Sequence, residues 1–363
     1  MPNIHQILAG ASVGDAITNF SFEIQRILIK NGFSSIIFAP KEHISKEYIA
    51  SGKVKYIEEL EKIHFTDDII LYHYSIGSKA SLFYENCSLK KMICYHNITP
   101  AKYFKNISSK QYEVLENGRK QLGTLASITD VALAVSEYNR KELEGMNFKN
   151  TEVIPLVFPR DYLDTKPVNN LVNRFNDNKL NFIFVGRVVP NKKFEDLIKV
   201  FYYYNKTINS KSRMFLVGSY IGNEKYYTYL KSLIFDLGMT DSIIFSGHIT
   251  TAELITYYKI SHLFLCLSEH EGFGLPLIES MYFNIPVFAL DHAAVSETLG
   301  NSGVLIKKLD YKSIAELINS IMTNNSLLNN IVANQHKRLQ NFNIELLELK
   351  IREILSKYFK IQF

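Results

Sequence analysis

Along the chain, short apolar runs bounded by polar or glycine-containing turns alternate with longer stretches whose apolar positions recur at helical spacing. The short runs predict buried strands and the longer ones amphipathic helices. HQILAG, SSIIFA, DIILYHY, KKMICYH, DVALAV and TEVIPL form a first series of strand-like runs. LNFIFVG, RMFLVG, SIIFSG, HLFLCL, IPVFAL and SGVLI form a second. Strands that alternate with helices argue for βα units and parallel sheets, so the pattern predicts an α/β chain of two doubly wound domains. Between the series, FPRDYLDTKPVNNLVNRFNDNK carries two prolines and many Asn and Asp residues and reads as an irregular linker. From about residue 310 the pattern is helical throughout and closes on the amphipathic IELLELKIREILSKYF.

Composition fits this picture and narrows it. A chain of 363 residues is long enough for two cores, and 47% hydrophobic with 21% charged residues is the balance of a globular protein. No apolar run reaches the roughly 20 residues that a spanning helix needs. The opening MPNIHQILAGASVGDAI has no basic region followed by a long apolar stretch, so a cytoplasmic location is expected. Cys87, Cys94 and Cys266 form neither a CxxC pair nor a zinc spacing and read as core thiols. The net charge of +5 belongs to the second half, because residues 1–165 hold 19 basic against 19 acidic residues.

Candidate chemistry lies in the loops. The first turn, GASVGDAITN, has Gly10 and Gly14 but no third glycine in phase for a dinucleotide fingerprint, and no Walker A sequence is present. In FVGRVVPNKKFEDL, Arg187 and Lys192 leave the tip of a strand five residues apart and can supply fixed positive charge for phosphate. Two solvated loop cations are the alternative on spacing alone. In SEHEGFGLPLIESM, Pro276 suits the first position of a helix, which puts the preceding glycine loop at a helix N-terminus that favours an anion. Glu271 before that loop and Glu279 in the first turn of the helix suit the vicinal hydroxyls of a sugar. A helix with ordinary surface carboxylates is the other reading. His73 and His96 each close an apolar strand run, where a cleft residue would sit, although a lone histidine there is often only structural.

The stretches VGRVVPNKKFEDLI and FSGHITTAELITYYKISHLFLCLSEHEGFGLPLIESMYFNIPVFALDHAAVSETLG, followed by SGVLI, resemble the retaining glycosyltransferases of family 4, which have the GT-B fold. The E-x7-E signature of Glu271 and Glu279 sits inside that extended context. In the first half GDAITNFSFEIQRILIKNGF, YHYSIGS, YHNITP and AVSEYNRKELE look like a bacterial subset of the family, so the resemblance covers nearly the whole chain. It implies two Rossmann-like domains facing a central cleft. Residues 1–165, joined by about 342–363, would be the acceptor domain, and residues 166–341 the domain for a nucleotide-sugar donor. It also places Arg187 and Lys192 at the donor diphosphate, Glu279 at the nucleotide ribose and Glu271 at the transferred sugar. The backbone of Gly272, Phe273, Gly274 and Leu275 would meet the sugar and its phosphate. His96 matches a histidine beside the donor sugar, the turn at Gly14 a loop near the phosphates, and His248 with Ile249 a loop flanking the base. One departure is Asp15, which follows Gly14 where paired glycines are common; it either caps the next helix or meets the acceptor hydroxyl.

The activity so implied is retaining transfer of a hexose from a GDP- or UDP-linked donor to a hydroxyl of a glycan or lipid-linked acceptor, in surface polysaccharide synthesis. Glu271, His96, Arg187 and Lys192 would carry it. The alternatives are a nucleotide-sugar epimerase of the same architecture and a catalytically silent GT-B subunit. No cofactor and no metal are expected, since the chain has no DxD motif. Residues 79–120 hold eight basic against three acidic residues, which fits either a peripheral contact with the anionic inner face of the plasma membrane or a set of solvated helix faces. Nucleic acid is not an expected partner.

Overall fold

A computed structural model describes residues 2–62, 67–157 and 164–363. The chain divides into two compact units. The first contains residues 1–102, 109–159 and 342–363, and the second residues 103–108 and 160–341.

The first unit is built on a seven-stranded sheet: β1 (Ile4–Leu8), β2 (Ile37–Ala39), β3 (Lys55–Tyr56), β4 (Ile69–Tyr74), β5 (Lys90–Tyr95), β6 (Val131–Ala134) and β7 (Thr151–Val153). All described pairings are parallel and the order is β3-β2-β1-β4-β5-β6-β7. Every residue of β1 and β4 is buried, as expected of a parallel sheet covered by helices on both faces. The six runs of the first series are all strands. β3 is an addition: two residues, one exposed, too short and polar to stand out as an apolar run.

The helix Ala16–Lys30 shows how local sequence fixes an element. Asp15 is its N-cap, and its carboxylate accepts from the Thr18 backbone N–H and hydroxyl, both at 2.8 Å. Phe20, Ile24, Ile27 and Leu28 then recur at helical spacing and are buried. Of the two roles open to Asp15, the structure shows the cap.

The second unit carries a six-stranded parallel sheet of β8 (Leu180–Val185), β9 (Ser212–Val217), β10 (Ile243–Gly247), β11 (Leu263–Cys266), β12 (Val287–Leu290) and β13 (Val304–Ile306). Its order is β10-β9-β8-β11-β12-β13. Phe182, Phe184, Phe201, Phe215 and Phe264 fill its core, so the abundant aromatic residues serve packing here. The stretch expected to be an irregular linker is more ordered than predicted. Its first part, 158–163, lies outside the described residues, but Asn169–Arg174 forms a helix. That short helix is anchored because the Val168 N–H donates to Thr256 Oγ1 at 2.8 Å, a contact supplied by a residue far along the chain.

The closing helix Ile344–Phe359 belongs to the first unit, where Glu152 of β7 holds it. Lys350, Lys357 and Tyr358 all donate to the Glu152 carboxylate, at 3.0, 2.7 and 2.9 Å. Burial works against ionisation here, yet the bonds from Lys357, Lys350 and Tyr358 outweigh it and bring the group down to about 2. A folded-state value below the unfolded one means that the stabilisation is complete above the ordinary 4.5 and is lost as pH falls toward 2. Glu152→Gln is therefore expected to cost about 1 kcal/mol at pH 7, a figure kept small because the lysines are solvated, or about 2–4 °C in Tm. In thermal melts at decreasing pH the gap between variant and parent should shrink below pH 4.5.

Candidate functional site

Ligands of open α/β sheets bind beyond the carboxyl ends of the strands, where the strand order reverses. In the second unit the order runs outward from β8 through β9 to β10 on one side and from β11 to β13 on the other, so the reversal lies between β8 and β11. The two loops singled out from sequence leave these two strands. Gly186–Lys193 follows β8, and Leu267–Gly274 follows β11.

The loops are stitched together. The Glu269 N–H donates to the Asn191 carbonyl at 2.9 Å, and Asn191 Nδ2 donates to the His270 carbonyl at 3.1 Å. Lys193, at φ +53°, reaches Glu269 at 3.3 Å and Glu195 at 3.4 Å. Across the centre Lys192 Nζ forms a direct ion pair with Glu271. Their side chains keep only 20% and 11% of their exposure, so this charge pair is mostly withdrawn from water. Arg187 is exposed and makes no ion pair among the described residues. The geometry therefore gives one cation committed to a carboxylate and one facing solvent.

Behind Glu271 the loop is held from the far side. The Ala294 N–H donates to the Glu271 carbonyl at 3.3 Å, and Thr298 Oγ1 donates to the Phe273 carbonyl at 2.6 Å. Gly274 is in the left-handed region at φ +92° and is the N-cap of the helix Leu275–Tyr282. That geometry corrects two positional expectations. Pro276 is the second residue of the helix, not the first, because Gly274 rather than Leu275 turns the chain into it. Glu279 is consequently the fifth helical residue and lies in the second turn. It is buried at 7% exposure, and Tyr258, itself at 0%, donates its hydroxyl to Glu279 Oε2 at 2.6 Å. The two glutamates of the signature thus differ physically: Glu271 is ion-paired on a loop, and Glu279 is a sequestered carboxylate oriented by a phenol. Tyr258 stacks on Phe283 at 5.2 Å, which fixes the ring that does this.

Gly218, at the end of β9, packs against the same loop. Its φ is +147°, and a Cβ there would collide with the Gly186 carbonyl, one residue from Arg187. His248 is exposed and Ile249 partly buried in the turn after β10, two strands away from β8.

In the first unit the reversal lies between β1 and β4. Gly14, at φ +78°, is exposed in the turn after β1, and a Cβ there would meet nothing within 4 Å, so only the backbone angle asks for glycine. His73 is the penultimate residue of β4, and His96 follows β5. His73 Nδ1 and His96 Nε2 lie 3.0 Å apart, and His73 Nε2 is 2.8 Å from Gln6 Oε1. Burial pushes His73 well below the ordinary histidine range and His96 down to about 3, so both rings are neutral at ordinary pH. Cys94 completes a group whose donor atoms lie within 4.8 Å of one another, the arrangement that a transition metal could use. Both nitrogens of His73 already have partners and burial pushes the Cys94 thiol up, so the group is built as a hydrogen-bonded core cluster first.

Of the basic residues in 79–120, several serve the fold. Lys79 pairs with Glu42 at 3.7 Å, Lys90 with Asp67 at 3.6 Å, and Arg119 with Glu142 at 2.6 Å; Lys91 donates to the Glu85 carbonyl. The residues that sequence reasoning passed over are Asn191, Tyr258 and Gln6. Only Asn191, lying between the two cations of its loop, carried a local signal.

Residues 167–338 match the family of glycosyl transferases group 1. The chain is 24% identical over 247 residues to the capsular polysaccharide biosynthesis glycosyltransferase CapM of Staphylococcus aureus, covering 64% of this chain and 62% of that protein. It is 30% identical over 140 residues to the O-antigen chain mannosyltransferase RfbU of Salmonella typhimurium, covering 39% and 38% of the two chains. The matches thus span less than two thirds of these relatives' own length. Among solved structures, sucrose-phosphate synthase from Thermosynechococcus elongatus superposes with a TM-score of 0.75 at 17% identity over 99% of both chains. Anabaena Alr3699/HepE, solved in complex with UDP-glucose, gives 0.77 at 15% identity over 98% of this chain and 99% of that one. The fold is therefore GT-B, two Rossmann-like parallel-sheet domains, as expected.

The Gly218–Gly186 contact yields a prediction for the site's frame. Gly218→Ala must both strain its backbone and push the Arg187 loop away, costing about 1–3 kcal/mol in urea unfolding. Gly145→Ala, whose added methyl meets open space, is the control and should stay within about 0.5 kcal/mol of the parent.

Proposed function

We propose that the protein is a retaining hexosyltransferase that takes its sugar from a nucleoside diphosphate and passes it to a hydroxyl of a glycan or lipid-linked saccharide. The observation that carries this reading is the Lys192–Glu271 pair, drawn from the loops after β8 and β11 at the point where the strand order reverses. A diphosphate entering there competes with Glu271 for Lys192 and recruits the exposed Arg187. Glu271 is then released toward the hydroxyls of the transferred sugar, while Glu279, held by Tyr258, accepts from the ribose. Positive charge on Arg187 and Lys192 stabilises the departing diphosphate, the kind of electrostatic contribution that often dominates catalysis. In the front-face course the acceptor hydroxyl attacks the face that the diphosphate leaves and gives its proton to a phosphate oxygen, so no side-chain nucleophile is needed. Relatives named for capsular and O-antigen polysaccharide synthesis support a surface-glycan acceptor, and the UDP-glucose neighbour keeps a UDP-linked donor beside a GDP-linked one.

The decisive experiment is incubation with sugar nucleotides, with and without saccharide acceptors, following free nucleoside diphosphate. Two glutamate variants then separate the roles. Glu279→Gln should raise KM and weaken binding of free nucleoside diphosphate by roughly one to two powers of ten, the value of a charged hydrogen bond of about 1.5–3 kcal/mol. Glu271→Gln should lower kcat and leave nucleoside diphosphate affinity near the parent's, because its contacts strengthen as charge develops on the sugar ring. The opposite pattern exchanges the two roles.

Turnover is also expected to be independent of divalent metal, since Arg187 and Lys192 supply the neutralising charge. Full activity in EDTA is the expected result; loss of activity that Mn²⁺ restores would overturn this account of the phosphate site.

A further inference from the structure

The strands that carry the two candidate loops also gather chain at their other ends. Lys179 immediately precedes β8, Lys211 immediately precedes β9, and Lys259 and His262 lie just before β11, so all four meet at the amino edge of three neighbouring strands. There they line a cleft of about 620 Å³ that lies wholly within the second unit. The six residues of β8 separate this edge from the Arg187 loop by about 20 Å, at roughly 3.3 Å per residue.

The lining combines three kinds of chemistry. Phe175, packed on Phe215 at 4.9 Å, forms an apolar wall with Val172 and Ile260. Asn176 and Asn178 are exposed, and their amides have no protein partner among the described residues. The lysines add charge that the protein leaves largely uncompensated. Asp177 is shared between Arg213 and Lys179, the latter at 3.7 Å, while Lys211 and Lys259 enter no ion pair among the described residues. Lys259 ends the helix Thr251–Lys259, where a cation also offsets the helix dipole, but Lys179 and Lys211 stand outside helices and have no such task. His262 has a fixed polarity. Its Nδ1 accepts from the Asn181 N–H at 3.0 Å, and partial burial lowers its pKa, so the neutral ring carries its proton on Nε2 and has a donor to offer.

We propose that this cleft is a second binding site, for a saccharide that carries a carboxylate or a phosphate. Ammonium groups meet the anionic group as point charges, amides that both donate and accept suit ring hydroxyls, and the apolar wall takes the C–H face of a sugar ring. An inorganic anion uses only the lysines, and a neutral sugar leaves their charge unused. The site stands apart from the loops after β8 and β11 and does not depend on the glycosyl-transfer reading.

Calorimetric titration tests it with four probes: glucose 6-phosphate, digalacturonic acid, inorganic phosphate and glucose. One of the two acidic saccharides is expected to bind at least about ten-fold more tightly than phosphate or glucose, and which one does so distinguishes a phosphate from a carboxylate ligand. Lys211→Gln and Lys259→Gln should each weaken it by about ten-fold, the value of one charged hydrogen bond. Asn178 is at φ +57°, which glycine adopts freely, so Asn178→Gly removes the amide and keeps the backbone. That variant should weaken the saccharide and leave phosphate unchanged. All three substitutions are at exposed positions and should leave the melting temperature and the affinity for UDP as in the parent, and excess UDP should not displace the saccharide. Failure of both acidic saccharides to bind, or lysine variants that bind them as the parent does, overturns the site. Phosphate binding as tightly as either saccharide, or an Asn178→Gly variant without effect, reduces it to an anion site and overturns the saccharide. Displacement by UDP moves the ligand to the nucleotide loops and overturns the separation of the two sites.

Discussion

A parallel sheet delivers every strand's carboxyl end to the same edge, and the rest of this structure follows from that constraint. Chain segments far apart in sequence leave neighbouring strands side by side, with no choice of edge. Asn191 and His270 meet because β8 and β11 are adjacent, although β9 and β10 intervene in the chain. The same rule puts the turn after β1 and the ends of β4 and β5 on one edge of the first unit, where Gly14, His73 and His96 are found. Full burial of the central strands is what makes the edge rigid enough to carry chemistry.

Within that frame, the site is defined by how its charges are partnered. Lys192 and Glu271 neutralise each other across two loops and are mostly withdrawn from solvent. Such a pair is weak evidence for stability, because desolvation offsets much of the Coulomb gain. It is better understood as a charge arrangement that a ligand of matching charge can replace. Glu279 is a different kind of carboxylate: buried, in the second turn of its helix, and oriented by Tyr258. Two residues of one signature are thereby set to different tasks by their surroundings.

The first unit uses neutral polarity where the second uses charge. Burial keeps His73 and His96 uncharged, and both nitrogens of His73 are bonded, one to Gln6 and one to His96. Such a network is all-or-none, since one reversed member would leave a buried polar atom without its bond.

The sequence by itself determined the twelve apolar strand runs, the closing helix, the two-domain α/β class, the capping capacity of Asp15 and the loop that holds Glu271. These are local properties: apolar periodicity, turn residues and capping side chains act within a few residues of one another. Tertiary structure decided what depends on meeting a distant partner. Neither the order in the Asn169–Arg174 stretch, anchored by Thr256, nor the two-residue β3 has a local apolar signal. The partnership of Lys192 with Glu271, the burial of Glu279 beneath Tyr258, and the contacts that link Gln6, His73 and His96 all join residues from different strands, helices or loops. Spacing along a chain cannot encode which atom donates and which accepts, because that is set only when the folded core removes every alternative partner.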